Sequence, residues 1–266
     1  AAAGVDQRRS LPQVAGRSLR RSVRGRGAGQ GAGQPDVWLW ADSFTDHLAP
    51  HTAHAALRVL EAAGLSARVI DETACCGLTW VSTGQLDAAR RIAGRTVATL
   101  APYVASGTPV LGLEPSCLAA LRSDLVELTD DPRAADVATG VVTLAELLER
   151  HGWEPPDLTG VEVVAQPHCH QWSVLGWAAD ERLLTRAGAR VTRVPGCCGL
   201  AGNFGMERGH YETSVAVAET HLLPAVRSAP DAVVLADGMS CRLQLDDLAD
   251  VPAMHLAELL ASRLGG

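Results

Sequence analysis

Short apolar runs alternate with longer stretches of helical spacing along the first half of the chain. The runs that predict strands are Val37–Trp40, Ala67–Ile70 and Pro109–Leu113. The stretches that predict helices are His51–Ala63, Gln85–Tyr103 and Leu144–Arg150. Strands that alternate with helices in this way favour a parallel sheet whose connections are right-handed crossovers.

The second half repeats this pattern. Its predicted strands are Val161–Ala165, Arg190–Val194 and Ala232–Ala236, and its predicted helices are Trp172–Arg186, Glu207–Val226 and Leu256–Leu260. Gly64 and Gly188 are 124 residues apart and so are Cys117 and Cys241, whereas Cys75 and Cys197 are 122 apart, which a two-residue shortening of one loop explains. The sequence therefore predicts an α/β fold of two pseudo-symmetric repeats, each a small parallel sheet flanked by helices.

Composition divides the chain into three segments. Residues 1–34 are rich in Arg and Gly and predict a flexible linker, residues 35–152 form the first repeat, and residues 153–266 form the second. Because the Gly-rich end resembles a joint between domains, we expect the chain to be the C-terminal piece of a longer polypeptide. The linker carries a charge of +6 and the remainder −13. An acidic body argues against nucleic acid as a partner.

Apolar runs and cysteine usage indicate the compartment. No apolar run approaches the roughly 18 residues that a membrane span needs, so we expect at most peripheral membrane association. The seven cysteines do not form a short secreted disulfide framework, which favours a reducing compartment. We expect a cytoplasmic protein, with a position at the inner face of the membrane left open, and metal or redox chemistry at the cysteines.

The cysteines follow the ends of the predicted strands, and residues 114–117 and 237–241 are predicted as the loops after the third strand of each repeat. Ligands bind beyond the carboxyl ends of strands in open parallel sheets, so thiols distant in sequence are expected to converge there. In the second repeat this set is Cys169, Cys197, Cys198 and Cys241. The first repeat offers the weaker candidates Cys75, Cys76 and Cys117, and Thr45 stands where Cys169 would match. We expect the second repeat to hold the site and the first to be degenerate.

Four thiolates suit either zinc or an iron-sulfur cluster. A cluster is favoured because adjacent cysteines would have to splay around a single tetrahedral ion. Gly196 and Gly199 leave backbone N–H groups free to approach sulfur closely. His168 and His170 flank Cys169, where an imidazole could donate to a cluster sulfur or relay protons. An equally plain interpretation is that these histidines cap the strand or face solvent.

The cysteine motifs carry a family resemblance. The duplicated Cys-Cys-Gly, the His-Cys-His at residues 168–170 and the Ser-Cys pairs ending at Cys117 and Cys241 resemble the cysteine-rich CCG-domain family, found in heterodisulfide reductase and in the iron-sulfur subunit of glycolate oxidase. The phrases C-C-G-L-A-G-N-F-G and A-D-G-M-S-C-R-L-Q are most similar to the C-terminal region of fused FAD-binding and iron-sulfur D-lactate or D-2-hydroxyglutarate dehydrogenases. The resemblance covers about residues 35–264.

This resemblance implies an electron-transfer module of an FAD-dependent 2-hydroxy-acid oxidoreductase of the D-lactate, glycolate or D-2-hydroxyglutarate type. The module would hold a 4Fe-4S cluster and pass electrons from reduced flavin to an acceptor such as quinone or another electron carrier. FAD would lie on a missing domain or on a partner subunit. Whether the chain alone is an enzyme stays open.

Two departures from the family pattern limit what is implied. The reductase motif ends in C-x-x-C, but the first of that pair is Gly238 in one repeat and Glu114 in the other, so its noncubane cluster is not implied. A cluster in the first repeat would need Asp42, Asp46 or His47 as a substitute ligand. The alternatives are a zinc-bound or metal-free docking module and a thiol-disulfide redox protein.

Overall fold

The computed structural model describes residues 4–24 and 33–265. The chain divides into two compact units, and each contains one parallel sheet. The first unit comprises residues 14–24, 33–153 and 264–265, and the second comprises residues 4–13 and 154–263. The first unit thus contains the first predicted repeat, and the second unit contains the second.

The first unit follows the predicted order of strands and helices, with additional short helices. Its elements are α1 (Leu19–Val23), β1 (Val37–Leu39), α2 (Ser43–His47), α3 (Pro50–Ala62), β2 (Ala67–Val69), α4 (Leu78–Ser82), α5 (Leu86–Ala105), β3 (Val110–Leu111), α6 (Pro115–Arg122), α7 (Asp124–Leu128), α8 (Arg133–Gly140), β4 (Val141–Val142) and α9 (Leu144–His151). Proline at the first position starts α3 and α6, where its missing N–H costs no helical hydrogen bond.

The second unit repeats the same core. Its elements are β5 (Glu162–Ala165), a π-helical turn (Gln171–Leu175), α10 (Ala178–Arg186), β6 (Arg190–Arg193), a 3-10 turn (Phe204–Met206), α11 (Tyr211–Thr220), α12 (Leu222–Ser228), β7 (Val233–Leu235), α13 (Met239–Ala249) and α14 (Leu256–Ala261). The central strand β5 ends in three buried residues, which explains its nearly continuous apolar sequence.

Both sheets are parallel and have the same strand order. The first is ordered β2-β1-β3-β4 and the second β6-β5-β7. Val37 pairs with Ala67 in the first sheet, and Val163 pairs with Val191 in the second. A single parallel bridge from Leu235 to Met254 stands where the first sheet has β4. The predicted α/β fold of two repeats is confirmed.

The closing helices of the two units begin in the same way. Thr143 accepts a hydrogen bond from the Glu146 N–H, and the Glu146 carboxylate accepts one from the Thr143 N–H. His255 and Glu258 form the same reciprocal cap at α14. Each cap satisfies two backbone N–H groups that would otherwise have no partner. The sequence L-A-E-L-L, which begins at both Leu144 and Leu256, supplies the glutamate of each cap.

Two predicted helices differ from the observed ones. The prediction of one helix over Glu207–Val226 is wrong, because His221 leaves the helical conformation (φ −142°) and separates α11 from α12. The prediction of one helix over Trp172–Arg186 is also wrong. Its first part is a π-helical turn that ends at Gly176 in an extended, positive-φ conformation (φ 81°, ψ 156°), which favours glycine.

Residues 4–24 pack against the rest of the protein, whereas the sequence predicts a flexible linker over residues 1–34. Leu19 is fully buried, and so is the side chain of Arg9. Arginines of this segment pair with buried carboxylates, Arg9 with Asp247 and Arg20 with Asp46, so their charge does not keep the segment in solvent. The parts of the predicted linker within residues 1–3 and 25–32 lie outside the described residues. Across the described residues, no helix combines the length and apolar character needed to cross a bilayer.

Candidate metal centre

Two loops and the first turn of a helix bring the four predicted thiols of the second unit together at the carboxyl edge of its sheet. Cys169 follows β5, Cys197 and Cys198 follow β6, and Cys241 follows β7. The thiols form a chain of contacts, from Cys169 to Cys197, from Cys197 to Cys198 and from Cys198 to Cys241. Cys198 and Cys241 are buried, while Cys169 and Cys197 are partly exposed. Parallel-strand topology therefore produces the convergence that the sequence predicts.

The contacts distinguish Cys197 from its neighbours. Hydrogen bonds from Cys169 and Cys198, together with the Gly199 N–H, hold the pKa of Cys197 well below its ordinary value. The hydrogen bond to Cys197 and burial raise the pKa of Cys169. Hydrogen bonding to Cys197 and Cys241, with burial, raises the pKa of Cys198. Cys197 is thus the favoured thiolate, and thiolates are the form in which cysteines bind metals.

Cys241 lies in the first turn of α13, not in a loop as the sequence predicts. It is the third residue of that helix, where free backbone N–H groups and the helix dipole favour negative charge. Cys117 has the same position in α6 of the first unit. The loop prediction is wrong because each helix begins only a short turn after its strand, at Met239 after Leu235 and at Pro115 after Leu111.

The predicted glycines adopt conformations that side chains disfavour. Gly199 has φ +92°, and a Cβ there would lie 2.2 Å from the Ser214 carbonyl oxygen. Its N–H donates to Cys197 Sγ at 3.4 Å. Gly196 has φ +81°. The backbone of this turn therefore approaches both the sulfur and α11 closely, which only glycine permits.

Side-chain hydrogen bonds connect the three thiol-bearing segments, which are the loop after β5, the loop after β6 and the start of α13. Gln166 Nε2 donates to the Gly196 carbonyl at 3.0 Å, joining the loops after β5 and β6. Gln244 Nε2 donates to the Cys198 carbonyl at 2.9 Å, joining α13 to the loop after β6. His168 Nε2 lies 3.2 Å from Ser240 Oγ, joining the loop after β5 to α13. Each of these three segments is thereby connected to the other two.

The predicted histidines differ in their surroundings. His168 is buried, and burial lowers its pKa to about 4, so its imidazole is neutral near pH 7. Its Nδ1 accepts the His170 N–H at 3.2 Å, which leaves Nε2 as the protonated nitrogen that donates to Ser240. The His170 ring meets the His168 ring edge to face at 5.3 Å. His168 also fills the space beside Gly238, where a Cβ would lie 2.3 Å from its ring.

The three thiols of the first unit also lie together. Cys76 Sγ is 3.2 Å from Cys117 Sγ, and Cys75 contacts Cys76. The pKa of Cys75 is raised by its hydrogen bond with Cys76 and by burial. The hydrogen bond with Cys76 lowers the pKa of Cys117, but burial and the charges of Asp42 and Glu114 outweigh it and raise that pKa to about 12. The thiol pKa is thus raised at all three cysteines, as it is at Cys169 and Cys198 of the second unit.

A hydroxyl paired with a carboxylate stands in the first unit where the second unit has its fourth thiol. The Thr45 hydroxyl, at the position that matches Cys169, donates to Asp42 Oδ2 at 2.5 Å. Burial and the nearby Glu114 raise the pKa of Asp42 to about 6, against the hydrogen bonds that it accepts. Of the three possible substitute ligands, Asp42 is the one beside the thiols. Asp46 pairs with Arg20 at 2.6 Å, and His47 is exposed beside Asp46.

The donor set of the second unit fits an iron-sulfur cluster. Four thiols meet there, from two loops and the first turn of α13, and the Gly199 N–H donates to Cys197 Sγ, as in a site for a sulfur-rich anionic group. Among the described residues, no group of three or more His, Cys, Asp or Glu side chains is arranged to hold a metal ion. The number and kind of donors, and not a preformed metal geometry, therefore favour the cluster.

A model of a known protein family matches part of the chain. Residues 43–122 match the CCG cysteine-rich domain family. This confirms the resemblance inferred from the cysteine motifs. The matched segment lies in the first unit and includes Cys75, Cys76 and Cys117.

The relatives are oxidoreductase components. The chain is 27% identical over 276 residues to a subunit of the anaerobic glycerol-3-phosphate dehydrogenase of Escherichia coli K12, covering 99% of this chain and 68% of the relative. It is 27% identical over 184 residues to D-2-hydroxyglutarate dehydrogenase of the same organism, covering 66% of this chain and 18% of the relative. It is 25% identical over 230 residues to that organism's glycolate oxidase iron-sulfur subunit, covering 82% and 55%. The chain is thus similar to subunits or segments of dehydrogenases and oxidases.

Residues that hold the thiol loops are not evident from cysteine spacing. The three thiol-bearing segments are connected by the side chains of Gln166, Ser240 and Gln244. Arg9 of the N-terminal segment contacts Gln244. The sequence signal for the Arg9 contact is the contrast between the arginine-rich residues 1–34 and the acidic remainder of the chain. It indicates charge complementarity within the chain, whereas the composition alone predicts a linker.

Proposed function

We propose that this chain is an iron-sulfur electron-transfer module of a flavin-dependent dehydrogenase, with its cluster on Cys169, Cys197, Cys198 and Cys241. The observation that carries the proposal is the meeting of four thiols, from two strand-end loops and the first turn of α13, in one unit. A 4Fe-4S cluster bound there would supply one-electron transfer, and the four thiolates would satisfy its irons.

The chain's own residues prepare this site. Cys197 accepts hydrogen bonds from two neighbouring thiols and from the Gly199 N–H, so one ligand is held as thiolate. Cys198 and Cys241 are buried, which keeps water from one side of the site. Cys169 and Cys197 are partly exposed and give the site an accessible edge. An electron donor or acceptor can approach at that edge.

The names of the relatives support the partner we propose. They include a dehydrogenase subunit, a dehydrogenase and an oxidase iron-sulfur subunit. We assign the flavin to a separate domain or partner subunit, where a 2-hydroxy acid or a related hydroxylated anion is oxidised. A cluster held by Cys169, Cys197, Cys198 and Cys241 would supply one-electron transfer between reduced flavin and quinone or another carrier. The protein would act in the cytoplasm, with peripheral contact at the membrane.

The first unit has a different part in this proposal. Its described residues offer three thiols, Cys75, Cys76 and Cys117, and no fourth. Thr45 and Asp42 bind each other where the second unit has Cys169. We assign the first unit a structural role and place no cluster there.

Metal analysis of anaerobically purified protein tests the proposal. Wild type is expected to contain about four irons and matching sulfide per chain. Cys198→Ser is expected to lose them, whereas Cys75→Ser, the matched change in the first unit, is expected to keep them. The reduced protein is expected to be reoxidised by a soluble quinone analogue. Stoichiometric zinc without sulfide, or activity on disulfide substrates that persists after iron removal, would overturn the assignment.

A further inference from the structure

Residues 4–13 pack within the second unit although its first strand begins at Glu162. Val5 forms an antiparallel bridge with Glu207. The Asp6 N–H donates to the Met206 carbonyl at 2.8 Å, and the Arg208 N–H donates to the Gly4 carbonyl at 2.8 Å. The segment therefore runs alongside the end of the loop that starts at Cys197 and Cys198.

Arg9 extends from this segment into a fully buried position. Its Nε donates to the Gly205 carbonyl at 2.8 Å, and its Nη2 donates to Ser214 Oγ at 2.7 Å. Its Nη1 donates to Gln244 Oε1 at 2.7 Å and approaches Asp247 Oδ2 at 3.3 Å. The side chain has no exposed area, so the guanidinium takes all its partners from the protein. Such a group is retained only where its geometry is well satisfied.

The contact with Gln244 fixes the orientation of that amide. Because Oε1 accepts from Arg9, Nε2 is directed to the other side, where it donates to the Cys198 carbonyl at 2.9 Å. Nε2 also lies 3.2 Å from the Ser214 carbonyl, against which the Gly199 backbone packs. The path from Arg9 to the backbone of Cys198 thus passes through a single side chain.

We infer that Arg9 is a positioning residue for the four-thiol site, acting through Gln244 to hold the turn that carries Cys197 and Cys198. The N-terminal segment then completes the site from outside the repeat that supplies the thiols. The inference rests on the proposed function for its cluster readout, whereas the holding of the turn can be measured without a cluster.

Four variants of the full chain separate this role from general packing. Arg9→Met removes the donors and keeps the bulk, and Arg9→Lys keeps the charge with fewer donors. Gln244→Glu keeps the acceptor for Arg9 but loses the N–H to the Cys198 carbonyl. Arg8→Ala is the matched control, because Arg8 is half-exposed and pairs with Asp6 and Glu212 instead.

Hydrogen-deuterium exchange of the metal-free protein is the first readout. Loss of a buried hydrogen bond is expected to speed exchange about tenfold for amides of residues 197–206 in Arg9→Met and Gln244→Glu. Arg9→Lys is expected to be intermediate and Arg8→Ala unchanged. Exchange in residues 162–165 of β5 is expected to stay at the wild-type level. An equal increase there, an unchanged loop in Arg9→Met, or a protected loop in Gln244→Glu would overturn the inference.

The cluster-loaded protein gives the second readout. Arg9→Met and Gln244→Glu are expected to shift the electron paramagnetic resonance signature and the reduction potential, with Arg8→Ala at the wild-type values. A signature and potential unchanged in both variants would overturn the positioning role. Absence of iron from wild type would instead defeat the proposed function, and the exchange measurement would still decide whether Arg9 holds the turn.

Discussion

Gly199→Ala tests whether the close approach of the cysteine turn to α11 is required. A non-glycine residue at φ +92° costs about 1–2 kcal/mol. The new Cβ would also lie 2.2 Å from the Ser214 carbonyl oxygen, which is helix backbone and cannot turn away. Overpacking of this kind costs about 1–3 kcal/mol. We therefore expect the free energy of unfolding to fall by about 3 kcal/mol.

Gly202→Ala is the matched control in the same loop. Gly202 also has positive φ (+65°), but a Cβ there would meet no atom within 4 Å. Only the backbone cost of about 1–2 kcal/mol applies. Urea unfolding of both metal-free variants, followed by tryptophan fluorescence, measures the difference. Equal destabilisation by the two substitutions would refute the close approach.

Two further predictions concern steric fit and charge at the two sites. Gly238→Ala is expected to lower the free energy of unfolding by about 2 kcal/mol, because the new Cβ would lie 2.3 Å from the His168 ring. The same substitution is expected to cost much less in a His168→Ala background. Additive losses in this double-mutant cycle would contradict the prediction. The pKa of Asp42 is raised from 3.8 to about 6, so its stabilising contribution is present below about pH 4 and is lost as pH rises through 6. Between pH 4 and pH 7, the unfolding free energy of wild type is expected to fall by about 3 kcal/mol relative to Asp42→Asn; parallel pH profiles would contradict it.

Local sequence patterns were sufficient for the three predicted strands of each repeat and for the choice of candidate ligands. Strands such as Val161–Ala165 are short apolar runs, and the 124-residue offset revealed the duplication. Once strands alternate with helices, parallel topology brings residues at their carboxyl ends to one edge. Cys169 and Cys241 could therefore be assigned to the same site although 72 positions separate them in the sequence.

Long-range polar contacts were not predictable in this way. Arg9 hydrogen-bonds Gly205 and Gln244, which are 196 and 235 positions away. A buried arginine and an exposed one look alike in sequence, because the partners that satisfy the guanidinium are set by tertiary packing. The break at His221 has a local cause instead, because Pro224 lacks the N–H that a continuous helix would donate to the Thr220 carbonyl and its ring crowds the preceding turn.

The central claim is that the thiols of the second unit, and not those of the first, hold an iron-sulfur cluster. Electron paramagnetic resonance of the dithionite-reduced protein tests it most directly when each cysteine is changed to serine in turn. The variants of the second unit are at residues 169, 197, 198 and 241, and those of the first are at residues 75, 76 and 117. We predict that a cluster signal in wild type is lost or altered in all four variants of the second unit and kept in all three of the first. Loss of the signal in the first-unit variants alone, or no signal in iron-replete wild type, would contradict the account.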